Sequence, residues 1–206
     1  MPRLSLTLGC LITATALLSC GKTSTPSTPE VESLFPLDNQ ISGWVEFVQG
    51  KMEIKIAGIQ IAYNTPDPKA TPAQLSLVAV VDGDGAPFKD KFEKMAYQFY
   101  KNAGLNFTLD LRVYQTSSAS ACKTLFDSLL SCSSCSLYTA NTWQAASVGD
   151  ASRSCLTGTA IWVNACKGAY YIEAKVEDAS LEGIPDTEAN RAIPISFITA
   201  VVKNIP

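Results

Sequence analysis

Histidine is absent from this 206-residue chain. Ser-His-Asp and Cys-His nucleophile pairs, a C-x-x-C-H haem attachment and any His-bearing zinc site all need imidazole as base or ligand, so each is excluded. Charge is sparse as well. Lys and Arg number 16 against 19 Asp and Glu, the formal net charge is −3, and no basic run gathers the cations that would displace counterions from nucleic acid. Nucleic acid is not an expected partner. The N-terminal apolar run, residues 4–18, would rise roughly 22 Å as a helix, short of the ~30 Å hydrocarbon core, so a retained membrane span is not expected either. There is no G-x-S-x-G and no Gly-rich phosphate loop, and no cofactor is expected. Ser120-Ala121-Cys122-Lys123 has Ser-x-x-Lys spacing, but no Ser-x-Asn or Lys-Thr-Gly element follows it.

What is present begins at the N-terminus. Arg3 precedes the apolar run, which ends Leu17-Leu18-Ser19-Cys20-Gly21: one positive charge, a short hydrophobic stretch and a small residue before the cut are the parts of an export signal. Leu17-Leu18-Ser19-Cys20 resembles the lipobox of bacterial lipoproteins. That resemblance implies cleavage before Cys20 and acylation of its sulfur, with palmitate-type chains that together hold the protein to its bilayer almost permanently. An ordinary secretory cut is the alternative, since residues 13–19 offer other small-residue sites. The resemblance also implies an outer-membrane address, because Gly21 stands where an Asp would retain the protein in the inner membrane. The expected organisation is a signal over residues 1–19, a lipidated Cys20 with a Ser/Thr/Pro tether to residue 33, and one domain over 34–206. With 47% hydrophobic residues, that length can fill a single core.

Within the domain, residues 43–48 read as an opening strand anchored by Trp44. Residues 51–63 read as two strand pieces broken near Ala57-Gly58, and 73–81 as a buried central strand. Phe88, Phe92, Met95, Ala96, Phe99 and Tyr100 share a helical face, so 87–103 is expected to be a helix stopped by Gly104. Residues 105–114 alternate, with Asp110, Arg112 and Tyr114 on the side opposite Leu109, Leu111 and Val113: a half-buried strand. Ser117 or Ser118 can cap a helix over 119–130. Residues 131–154 read as loop, 159–164 and 169–176 as a hairpin with a Lys-Gly turn, and 186–203 as a helix carrying Pro194. The expected fold class is α+β: a single domain with an antiparallel sheet and two or three helices packed on one face.

Several of these segments together resemble a family of secreted bacterial proteins of unknown function: the pairs Phe35-Pro36 and Gly43-Trp44, the expected helix over 92–104, Val113-Tyr114, the Val148-Gly149-Asp150 turn, and the hairpin carrying Ile161-Trp162-Val163 and Lys167-Gly168. The Cys-rich insert and residues 65–84 depart from that pattern. The resemblance implies an α+β fold and carries over no catalytic residue.

Besides Cys20, the exported part carries Cys122, Cys132, Cys135, Cys155 and Cys166. An oxidising compartment favours bridges, and the expected pairing is Cys155 with Cys166 and Cys122 with Cys132 or Cys135, leaving one free thiol. Cys132-Ser133-Ser134-Cys135 could instead be a redox or metal C-x-x-C, and Cys132, Cys135, Cys155 and Cys166 have workable zinc ligand types. Asp82-Gly83-Asp84-Gly85 resembles the start of a calcium loop, with Asp90 and Glu93 in register, although Ala86 and Pro87 stand where an EF-hand needs an oxygen ligand and a Gly. A plain Gly-Asp turn accounts for the same residues. Tyr138, Trp143, Trp162, Tyr170 and Tyr171 could line a ligand groove or simply pack the hairpin. Glu173, Glu177 and Asp178 read as solvated strand-end charges. The functional expectation is a lipid-anchored cell-envelope protein, a non-enzymatic binding or scaffold module with a possible envelope-protein partner. The alternative is a lipoprotein binding a small ligand or calcium ion.

Overall fold

The computed structural model describes residues 29–55, 58–64, 91–133, 135–180 and 182–206, with the backbone alone described over 47–55 and 58–64. The strands are β1 (Val45–Lys55), β2 (Gly58–Asn64), β3 (Lys94–Asn102), β4 (Phe107–Gln115), β5 (Gln144–Ala145), β6 (Ala151–Thr157), β7 (Ala160–Lys167) and β8 (Tyr170–Asp178). They form one 8-stranded sheet in the order β2-β1-β3-β4-β8-β7-β6-β5, and every pairing is antiparallel. The helices are α1 (Ala119–Ser128), the single-turn α2 (Ser136–Thr139) and α3 (Glu188–Asn204). The α+β class, the antiparallel sheet and the single domain are as the sequence predicts.

Local chemistry explains several boundaries. The Ser118 hydroxyl accepts from the Ala121 N–H at 3.1 Å and starts α1, and Thr187 accepts from Asn190 at 3.1 Å and starts α3. Pro194 lies inside α3. The β7–β8 hairpin turns at Gly168, whose φ of 53° is a left-handed value that glycine adopts without strain. Among the described residues, no helix is long and apolar enough to cross a membrane.

Several expectations are overturned, among them the loop over 131–154, which holds α2, β5 and the start of β6 because Tyr138 packs into the core beneath α1. Residues 94–102 are strand β3, not helix: both sides of this strand are covered, so apolar residues occupy both and the two-residue alternation that marks a half-buried strand disappears. The helices also do not gather on one face. α3 lays Phe197, Ile198 and Val201 on the side of Leu109, Leu111, Val113, Val163, Ala165, Ile172 and Ala174, where Trp44 and Tyr100 meet Phe197 at ring-centroid distances of 5.3 and 4.7 Å. α1 and α2 lay Leu125, Phe126 and Tyr138 on the opposite side, against Tyr97, Tyr114, Cys166 and Tyr171. Val31, expected in the tether, is buried with Leu34 in the α3-side core, so the packed region takes in the last residues before 34. The expected strand over 73–81 and the turn over 82–85 lie outside the described residues.

Candidate functional site

Antiparallel register places residues of different strands in rows across a sheet face. On the α1 side, one row reads Tyr97, Arg112, Glu173, Asn164 and Arg153, through the pairings Tyr97–Arg112, Arg112–Glu173, Glu173–Asn164 and Asn164–Arg153. The row beside it contains Tyr114, Tyr171 and Cys166. Five polar side chains thus cross the middle of the sheet where α1 and α2 cover it: Asp110, Arg112, Arg153, Asn164 and Glu173 are all buried.

The row's polar groups are held in two clusters and one exception. Arg112 donates through Nε to Asp110 Oδ1 at 3.0 Å and through Nη2 to Oδ2, a two-pronged pair on a single strand. Glu173 accepts from Tyr171 at 3.1 Å, from Tyr114 and Asn164 at 3.2 Å each, and from Tyr138 at a shorter distance. Arg153 is the exception. It is 5% exposed, and its guanidinium carbon lies 4.1 Å from the centroid of the Phe126 ring, 5.2 Å from Trp143 and 5.4 Å from Tyr138. Trp143 stacks on Tyr138 at 5.3 Å and 12° between planes.

The position of β6 depends on one glycine. Gly149 has φ 68°, and a Cβ there would come within 2.4 Å of the Cys166 carbonyl oxygen, so only glycine allows the Asp150 N–H to reach that carbonyl at 2.7 Å. The Asp150 carboxylate then accepts from the Gly168 N–H at 2.8 Å and Lys167 Nζ at 2.9 Å, which hold its pKa below the usual value.

Glu173 was expected to be solvated and is 4% exposed. Burial raises its pKa above the ordinary 4.5, and Arg112 with the tyrosine hydroxyls pulls it only partly back. The folded state therefore holds this proton more tightly than the unfolded chain. Stability from that proton is full below about pH 4.5 and is lost as pH climbs through the raised folded value, at up to about 1.4 kcal/mol per pH unit. Melting temperatures of the wild type and Glu173→Gln should diverge over this range, the wild type falling more steeply as pH rises. Parallel curves would refute the assignment.

The aromatic residues singled out from the sequence are not one groove. Trp143 and Tyr171 belong to this cluster through Tyr138, whose hydroxyl lies 3.2 Å from that of Tyr171. Tyr170 lies on the α3 side, and Trp162 is half-buried with Lys175 Nζ 5.7 Å from its ring centroid. The cysteine pairing also differs from expectation. Cys122 bridges to Cys166 and Cys132 to Cys135, while Cys155 is the free thiol, buried and pushed up to about 12 by that burial. Cys155 and Cys166 cannot pair because their residues sit in different rows of the β6–β7 ladder, where Cys166 faces Ala151 and Cys155 faces Trp162. The bridges take three of the four thiols that a zinc site would use, Cys132, Cys135 and Cys166. Of the calcium-loop residues, Asp82, Asp84 and Asp90 lie outside the described residues and Glu93 is exposed. Among the described residues, no group of three or more Cys, Asp or Glu is placed to hold a metal ion.

Arg112, Asp110, Arg153, Asn164 and Glu173 were not picked out from the sequence as site residues. The available signal was the run of alternating polar residues in β4 and β8, which reads as a wet face until a second layer of helices is known to cover it. No protein-family model matches this chain, and neither a curated protein nor a solved structure matches it.

Proposed function

We propose that this chain is a lipid-anchored protein of the bacterial cell envelope, its domain a non-enzymatic binding or scaffold module displayed outside the cytoplasm. The observation that carries this reading is the pairing of Cys122 with Cys166 and of Cys132 with Cys135. Such bridges persist in an export compartment and are rare where thiols are kept reduced, which agrees with an export signal ending at Cys20. The mild negative charge and the absent histidine favour binding over nucleophilic chemistry. Gly21 after Cys20 favours the outer membrane by analogy with known lipoproteins. A second reading, a lipoprotein binding a small ligand, is favoured by the buried Arg153 among its aromatic rings.

Metabolic labelling with a palmitate analogue tests the anchor. The wild-type chain should carry label and sediment with the envelope, and Cys20→Ser should be unlabelled and uncut. A wild-type chain recovered acyl-free in the soluble fraction would refute the proposal.

A further inference from the structure

The arginines of the described region offer an internal comparison. In a guanidinium, Nε and Nη2 lie along one edge, and their two parallel N–H bonds match the two oxygens of a carboxylate. Arg112 presents that edge to Asp110, Nε to Oδ1 and Nη2 to Oδ2. Arg191 of α3 presents the same edge to Asp186, again Nε to Oδ1 and Nη2 to Oδ2, the latter at 2.9 Å. Arg153 is more buried than Arg191, yet among the described residues nothing accepts from its Nε or Nη2. Asn164, opposite it across β6 and β7, turns its amide N–H to Glu173, and its own Oδ1 takes no donor. Glu173 is already surrounded by four donors.

We infer that the Nε–Nη2 edge of Arg153 binds the carboxylate of a ligand, held between the rings of Phe126, Tyr138 and Trp143. The surrounding rings stabilise the positive charge through their faces but offer nothing to the in-plane N–H groups, whose need for an acceptor is unmet by cation–π contact. A third donor, Trp143 Nε1, is also without a protein acceptor. Trp143 is half-buried, whereas Phe126 and Tyr138 are buried, which makes it the wall of the cage nearest solvent. A single uncompensated cation matches a monovalent anion. The apolar walls favour a carboxylate carried on an apolar group, from a free organic acid or from the C-terminus of a peptide.

This inference rests on the domain being a binding module, and its test is independent of the anchor. The purified, full-length, disulfide-bonded protein is titrated at neutral pH with benzoate, acetate, chloride and inorganic phosphate, and with an apolar tripeptide as its free acid and as its amide. Tryptophan fluorescence and calorimetry provide the readouts. Benzoate should bind saturably in the millimolar range or below, more tightly than acetate, with chloride and phosphate weak. If the peptide acid binds and its amide does not, the source is a chain terminus; if only benzoate binds, it is a free acid. Arg153→Lys keeps the cation and loses the two-pronged edge, so its affinity should fall about tenfold or more. Should that variant fail to fold, Trp143→Phe keeps the ring, loses Nε1 and should bind several-fold more weakly by calorimetry. Absence of saturable carboxylate binding in the wild type, equal affinity for chloride and phosphate, or unchanged affinity in both variants would overturn the inference. Palmitate labelling of Cys20 would stand unaffected by any of these results.

Discussion

Replacing Cys122 and Cys166 together by alanine should lower the unfolding free energy by about 4 kcal/mol, and the same change at Cys132 and Cys135 by only about 2 kcal/mol. The difference comes from the unfolded chain. The first bridge closes a separation of 44 residues and the second a separation of 3, and the conformational freedom removed grows with the logarithm of that length. The long bridge also joins two layers, α1 and strand β7, with Cα atoms 6.2 Å apart. Its loss frees the helix that carries Phe126, one wall around Arg153, so the cage should loosen along with the fold. Urea titrations of the two double variants measure both costs. Alkylation read by mass spectrometry checks the pairing itself: in the described domain, without reductant, the folded protein should protect Cys155 and the unfolded protein should expose that thiol alone. Equal costs for the two double variants, or further reactive thiols in the unreduced domain, would disprove this connectivity.

The elements readable in the sequence were those whose signal is local. The Ser118 cap and the hairpin turn at Gly168 each depend on a few neighbouring residues, and both are present. Strand β3 was misread for a physical reason: Met95, Ala96 and Tyr97 are consecutive and all buried, so its residues carry no inside-outside contrast. The same second covering layer hid the site. Asp110 and Arg112 alternate with Leu109, Leu111 and Val113 in the pattern of a strand with one wet face, and Glu173 sits between Ile172 and Ala174 in the same way. Only the packing of α1 and α2 over that face, together with a register that aligns five strands, turns separate polar residues into one buried row. The Cys122–Cys166 bridge was unreadable because it depends on which strand residue lies beneath helix α1. Spacing along the chain does not encode that.

Asp110→Ala should be among the most damaging single substitutions in the domain, costing about 3 to 5 kcal/mol, because it leaves the Arg112 guanidinium buried without its carboxylate. Both side chains are only 9% exposed, so water cannot replace the lost partner. A surface pair such as Lys123 and Asp127, each 57% exposed, should by contrast contribute about 0.5 kcal/mol or less. Replacing both members, Asp110→Leu with Arg112→Met, should recover most of the loss, since apolar groups of similar volume carry no desolvation cost. The single variant should also change the titration of Glu173. Asp110 raises the Glu173 pKa and Arg112 lowers it, so without Asp110 the proton on Glu173 leaves at lower pH and the pH at which stability declines moves down with it. Urea unfolding of Asp110→Ala, Arg112→Met and the double variant across pH 4 to 8 measures the coupling between the two side chains. A cost below about 1 kcal/mol for Asp110→Ala, the scale of an exposed pair, would mean that this row is wet and that Arg112 does not depend on Asp110.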